Sequence, residues 1–130
     1  GDVERARTIL ARARPLLVAS YGEPSQRVAE LLQLEGDVAA RDGALAEAIE
    51  AHRRAEAMML DVQPTRWNVV GFVRARRAEL QWDAGDRAGA HATADTALVA
   101  YRAAEGSEAR IAELSRWRAA HPRRSRAGAP

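Results

Sequence analysis

Three glycines stand at equal spacing along the chain. Gly1, Gly43 and Gly85 are 42 residues apart, and so are Ala6, Ala48 and Ala90, and Ala13, Ala55 and Ala97. The strings that open these segments read Gly-Asp-Val-Glu-Arg-Ala, Gly-Ala-Leu-Ala-Glu-Ala and Gly-Asp-Arg-Ala-Gly-Ala. A fixed period of this length implies one recurring unit that stacks on its neighbours, because a single unit cannot bury its own apolar face. Thirty of the residues are Ala, the strongest helix former, and β-branched residues are few, so the unit is helical.

Small residues also recur inside each unit. Gly36, Gly43, Ala48 and Ala55 follow one another at intervals of 7, 5 and 7, and Ala78, Gly85, Ala90 and Ala97 repeat the series. Gly just past a helix end suits a tight turn, and Ala facing Ala lets two axes approach closely. This pattern resembles the tetratricopeptide repeat over about residues 1–105, in a variety longer than the usual unit of roughly 34 residues. Units of this length are similar to those of kinesin light chains and of many bacterial signalling proteins. The stretch from Ser20 to Ala29, with Gly22 and Pro24, resembles the connection between units in that long variety. The chain also departs from the family. Large first-helix positions hold Leu32 and Glu35 in one unit but Arg74 and Arg77 in the next, and the second-helix aromatic is replaced by Leu10, His52 and Ala94. Leu60 stands where the family's terminal Pro is expected.

Start and stop signals predict six helices: about Asp2–Ser20, Pro24–Arg41, Ala44–Leu60, Thr65–Asp83, Asp86–Glu105 and Ser107–Ala119. Pro15 is expected to kink or divide the first. Glu23 or Ser25 is expected to cap the second, and Thr65 the fourth. Val28, Leu31, Leu32 and Val38 are the expected inner face of the second helix, and Val69, Val70, Val73 and Leu80 that of the fourth. Ile111 and Leu114 should turn the last helix back onto the stack as a cap. Residues 121–130 are expected to form a disordered basic tail. Gly1 aligns with the middle of a unit, so the natural protein is expected to continue upstream.

All 20 basic residues are Arg, which with abundant Ala and Gly suggests a GC-rich, bacterial gene. Residues 1–115 carry 15 Arg against 18 acids, a formal charge of −3, while residues 116–130 carry five Arg and no acid. A mildly acidic body argues against a general nucleic-acid surface. Without Cys there is no disulfide, thiolate catalysis or Cys-based zinc site. Without Lys there is no P-loop lysine or Schiff base. His52, His91 and His121 lack a second His at i+3 or i+4, so no metal site is expected. No nucleophile elbow or phosphate loop occurs, and no cofactor is implied. No apolar run is long enough to span a membrane and no signal peptide is seen, so a cytoplasmic setting is expected.

Arg74, Arg76 and Arg77 form a short basic run. It reads either as an anion clamp flanked by Trp67 and Trp82 or as long stems covering an Ala-rich face. The resemblance implies that first-helix residues line a concave groove. In this chain they are Glu30, Gln33, Asp37 and Arg41, then Phe72, Ala75, Glu79, Trp82 and Asp83. Their mix implies a partner with basic and apolar character, unlike a clamp for acidic C-termini. Trp82 fits two roles, packing on the next helix or anchoring a partner.

The expected fold is all-α: a tetratricopeptide-like right-handed superhelix of antiparallel helix pairs over residues 1–120, with a C-terminal capping helix. The expected function is a non-enzymatic protein-binding scaffold. By resemblance it would be the C-terminal part of a larger bacterial signalling or regulatory protein, such as a serine/threonine kinase. The alternatives are a regulator with a nucleic-acid-linked role using the basic tail and Arg run, and an oligomerisation module in which the unpaired first helix pairs across a homodimer.

Overall fold

Local chemistry sets the helix ends. Ser25 is extended and its hydroxyl accepts from the Val28 amide at 3.1 Å, so the second helix begins at Gln26. The Asp86 carboxylate accepts from the Gly89 amide at 2.9 Å and starts the fifth in the same way. A computed structural model describes residues 1–62 and 65–123. It contains α1 (Asp2–Tyr21), α2 (Gln26–Arg41), α3 (Leu45–Val62), α4 (Trp67–Asp83), α5 (Arg87–Ala103) and α6 (Glu108–Ala120), with no strand among the described residues. None of these helices is long and apolar enough to cross a membrane.

Of the two caps offered for the second helix, Ser25 is the one used. Glu23 plays no capping role beside Ser25. Thr65 lies one residue too far out: α4 begins at Trp67 with Arg66 at the capping position and no side-chain cap. Pro15 does not divide α1, which runs through it as one element. Pro15 is exposed, so the carbonyl deprived of its amide partner is open to water. Of the expected tail, residues 124–130 lie outside the described residues, whereas His121 is held against α6.

The turns after α2 and α4 are copies of each other. At the first, the Gly43 amide donates to the Ala40 carbonyl (3.1 Å) and the Ala44 amide to the Ala39 carbonyl (2.9 Å). At the second, Gly85 donates to Trp82 (2.9 Å) and Asp86 to Gln81 (2.9 Å). Both are Schellman caps, which need a left-handed residue, and Gly43 and Gly85 supply it at φ 77° and 90°. Each element packs chiefly on its neighbours in sequence, so the helices are stacked stepwise along the chain.

The core follows a size rule from unit to unit. His52 is buried on α3 and faces Gly36, where an added methyl would sit 2.8 Å from the imidazole. One period later Ala94 takes the place of His52, and Ala78 takes that of Gly36 in the same buried cluster. Tyr101 lies against Gly71, where a methyl would come within 2.5 Å of the ring. One period earlier the smaller Met59 shares a cluster with Ala29. A large side chain on the second helix of a pair is thus matched by Gly on the first, and a smaller one by Ala.

The joints between pairs also repeat. Arg14 of α1 grips Glu35 of α2 at 2.6 Å. The equivalent positions one period later are Glu56 of α3 and Arg77 of α4, and they too are joined, with the charges exchanged. Leu114 of α6 is buried against Leu98 and Tyr101 of α5, with Ile111 and Trp117 beside it.

Candidate functional site

α2, α4 and α6 are the first helices of successive units, and two hollows open beside them. Gln26, Glu30, Gln33, Met59, Arg66 and Val69 line one. Phe72, Ala75, Glu79, Tyr101, Arg110 and Trp117 line the other. Glu30, Gln33 and Met59 of the first correspond, one period later, to Phe72, Ala75 and Tyr101 of the second. The two hollows share these three positions and differ in the rest of their lining.

The expected groove residues divide between these hollows. Glu30 and Gln33 enter the first, Phe72 and Glu79 the second. Arg41 and Asp83 are exposed at the C-terminal ends of α2 and α4 and line neither. Asp37 lines neither and lies 3.6 Å from Arg76 of α4. Phe72 is 42% exposed, with the Arg110 guanidinium 5.2 Å from its ring centre.

Three acids of this face are paired. Glu30 pairs with Arg27 at 3.3 Å, Glu79 with Arg76 at 2.9 Å, and Glu113 lies 3.7 Å from Arg110. Each pair joins residues three apart on one helix, so the helix itself neutralises its carboxylates. Of the expected groove acids, Glu30 and Glu79 are thus paired on their own helices and Asp37 with Arg76.

Trp82 is half-buried in an aromatic cluster rather than presented alone. Its ring lies 6.0 Å from His91 of α5, 6.1 Å from Trp117 of α6 and 5.1 Å from His121. Arg87 covers it at 5.0 Å. His121 stacks on Trp117 at 4.6 Å, and its Nδ1–H donates to the Trp117 carbonyl at 2.7 Å. His91 donates from Nε2 to the His121 carbonyl. These contacts fasten the end of α6 to α4 and α5, so Trp82 packs within the chain.

The run Arg74, Arg76 and Arg77 is split by the helical turn. Arg74 and Arg77 point toward α3 and share the Glu56 carboxylate, Arg74 Nε at 2.6 Å. Arg74 also donates to the Thr96 carbonyl of α5 at 3.1 Å. Arg76 turns to Glu79 and Asp37. The three do not make one basic surface, which removes the anion-clamp reading. Burial alone would raise the Glu56 pKa, but hydrogen bonds from Arg74 and Arg77 outweigh it and hold the carboxyl below its ordinary value.

His52 is the least satisfied polar group. It is 1% exposed, and neither ring nitrogen makes a well-formed hydrogen bond. Asp37 Oδ1 comes within 3.3 Å of Nε2, at an angle outside hydrogen-bond geometry. Burial pushes the imidazole below its ordinary value, Asp37 opposes this, and Arg76 and Arg77 add to it. Among the described residues no three His, Asp or Glu side chains converge as a metal requires.

Sequence reasoning missed Glu56, Arg14, Glu35 and the partners of Trp82. Shifting the chain by one period would have flagged the first three, since Arg14 and Glu35 fall on Glu56 and Arg77. Neither a protein-family model, nor a curated protein, nor a solved structure matches the chain.

Proposed function

We propose that the chain is a tetratricopeptide-like scaffold that binds an apolar stretch of a protein partner along the face formed by α2, α4 and α6. The observation that carries this reading is a pair of hollows on consecutive units that share three equivalent positions, with Phe72 open at the second. A stepwise stack of paired helices, with the α1–α2 and α3–α4 joints made at equivalent positions, supports the superhelical arrangement of that family. Self-neutralised carboxylates leave apolar contact as the main source of affinity, and a preformed surface lowers the ordering cost of binding. The resemblance extends the reading to a signalling or regulatory parent protein.

A displayed library of random peptides, selected against the purified chain, tests the proposal. Enriched peptides should carry aromatic or aliphatic residues, and calorimetry should show their affinity lost in Phe72→Ala. The Val99→Ala variant should bind normally, because Val99 is exposed on α5, outside both hollows. No enrichment, or binding indifferent to Phe72→Ala, refutes the reading.

A further inference from the structure

The two hollows differ at the floor. Met59, nearly buried, lies at the bottom of the first and offers no hydrogen-bond donor. One period later the position holds Tyr101, which lines the second hollow although only 3% of it is exposed. Its ring rests on Gly71. Among the described residues no side chain or carbonyl is hydrogen-bonded to its hydroxyl, and the oxygen is not one of the buried polar atoms that lack a partner. The oxygen is therefore open to the hollow, with its donor and its acceptor both unused. Burial, the largest influence, raises the pKa of this group, Arg110 opposes the shift, and Glu113 and Glu79 add to it. At neutral pH the hydroxyl keeps its proton and can donate.

We propose that the second hollow receives a tyrosine side chain of the protein partner, whose phenol hydrogen-bonds to the Tyr101 hydroxyl. This rests on the reading of the α2, α4 and α6 face as a surface that binds a protein partner. Two features of the lining favour that occupant. The first is shape. Phe72 and Ala75 come from α4, and Leu114 and Trp117 from α6, so the walls are apolar and partly aromatic. A flat ring suits such walls.

The second is charge. Arg76 pairs with Glu79 at 2.9 Å, and Arg110 lies 3.7 Å from Glu113, all four along the same hollow. A carboxylate on the partner would meet two acids there, and an ammonium would meet two arginines. Neither finds a net opposite charge to offset the loss of its water. A neutral side chain avoids that cost, and its tip must still satisfy the Tyr101 hydroxyl. Tryptophan has the ring, but its N–H only donates and leaves the Tyr101 proton without an acceptor. A phenol both donates and accepts.

Peptides selected by display against the chain should carry a tyrosine at their strongest position. Calorimetry then compares such a peptide with its phenylalanine copy, on the wild-type chain and on Tyr101→Phe. On the wild-type chain the phenylalanine copy should bind roughly three- to tenfold more weakly. On Tyr101→Phe the two peptides should bind alike. Both are measured on the same variant, so any change in its stability affects them equally. A preference for tyrosine that persists in Tyr101→Phe overturns the proposal, as does a wild-type chain indifferent to the exchange, or a strongest position that is not tyrosine. In each of those cases binding that still depends on Phe72 leaves the scaffold reading standing, whereas a failure to select any peptide refutes both.

Discussion

Gly71 of α4 lies directly under the ring of Tyr101 of α5, so closely that a single methyl group at position 71 would fall 2.5 Å from the ring. Tyr101 is 3% exposed and shares its cluster with Leu98 and Leu114. The pair is the tightest expression of the size rule that links the two helices of each unit.

That rule predicts both a cost and its remedy. Gly71→Ala should destabilise the chain by about 1–3 kcal/mol through overpacking. The double variant Gly71→Ala with Tyr101→Met copies the Ala29–Met59 arrangement of the preceding unit and should recover part of the loss. Chemical denaturation of the two singles and the double measures the coupling. Additive effects would mean that the two positions do not share one space.

The joint around Glu56 should matter more than its counterpart around Glu35. Glu56→Gln leaves Arg74 and Arg77, 17% and 14% exposed at the side chain, without their carboxylate. The expected loss is on the order of 1–3 kcal/mol. Glu35→Gln breaks a more solvated pair and should cost about 0–1 kcal/mol. Equal losses in urea melts of the two variants would contradict the difference in burial.

His52 should make stability fall on mild acidification. Its folded-state pKa lies below the ordinary value of 6.5, so between those two values the unfolded chain binds the extra proton. Stability contributed by the neutral ring is therefore complete above about pH 6.5 and drains away as pH falls below it. Glu56, whose pKa is lowered from an ordinary 4.5, loses its contribution only further down, so the two windows separate. Melting temperatures at about pH 7.5 and about pH 5.5 should differ less in the double variant Gly36→Ala with His52→Ala, which copies the Ala78–Ala94 pair. An unchanged difference would assign the acid sensitivity to another group.

What the sequence disclosed was whatever local chemistry decides. Gly43 and Gly85 mark turns because only a left-handed residue closes a Schellman cap, and Ser25 marks a helix start because its hydroxyl reaches the Val28 amide. Thr65 misled, since one residue of offset takes a hydroxyl out of reach of the amides it would cap. The Arg run left two readings open for a related reason. Adjacent letters suggest one patch, but at 3.6 residues per turn Arg76 faces away from Arg74 and Arg77. Trp82 was ambiguous because its fate depends on His91, Trp117 and His121, which only the tertiary arrangement brings to it. Phe72, placed on the groove side by the resemblance, is 42% exposed.

The exchanged polarity of the joints bears on how such a chain avoids assembling out of order. Near-identical modules invite one to dock in another's seat, in the same molecule or in a neighbour during folding. If α4 settled on α1, Arg77 would confront Arg14, and if α2 settled on α3, Glu35 would confront Glu56. Alternating the sign at one point of contact thus gives each module an address and penalises a slip by a whole unit.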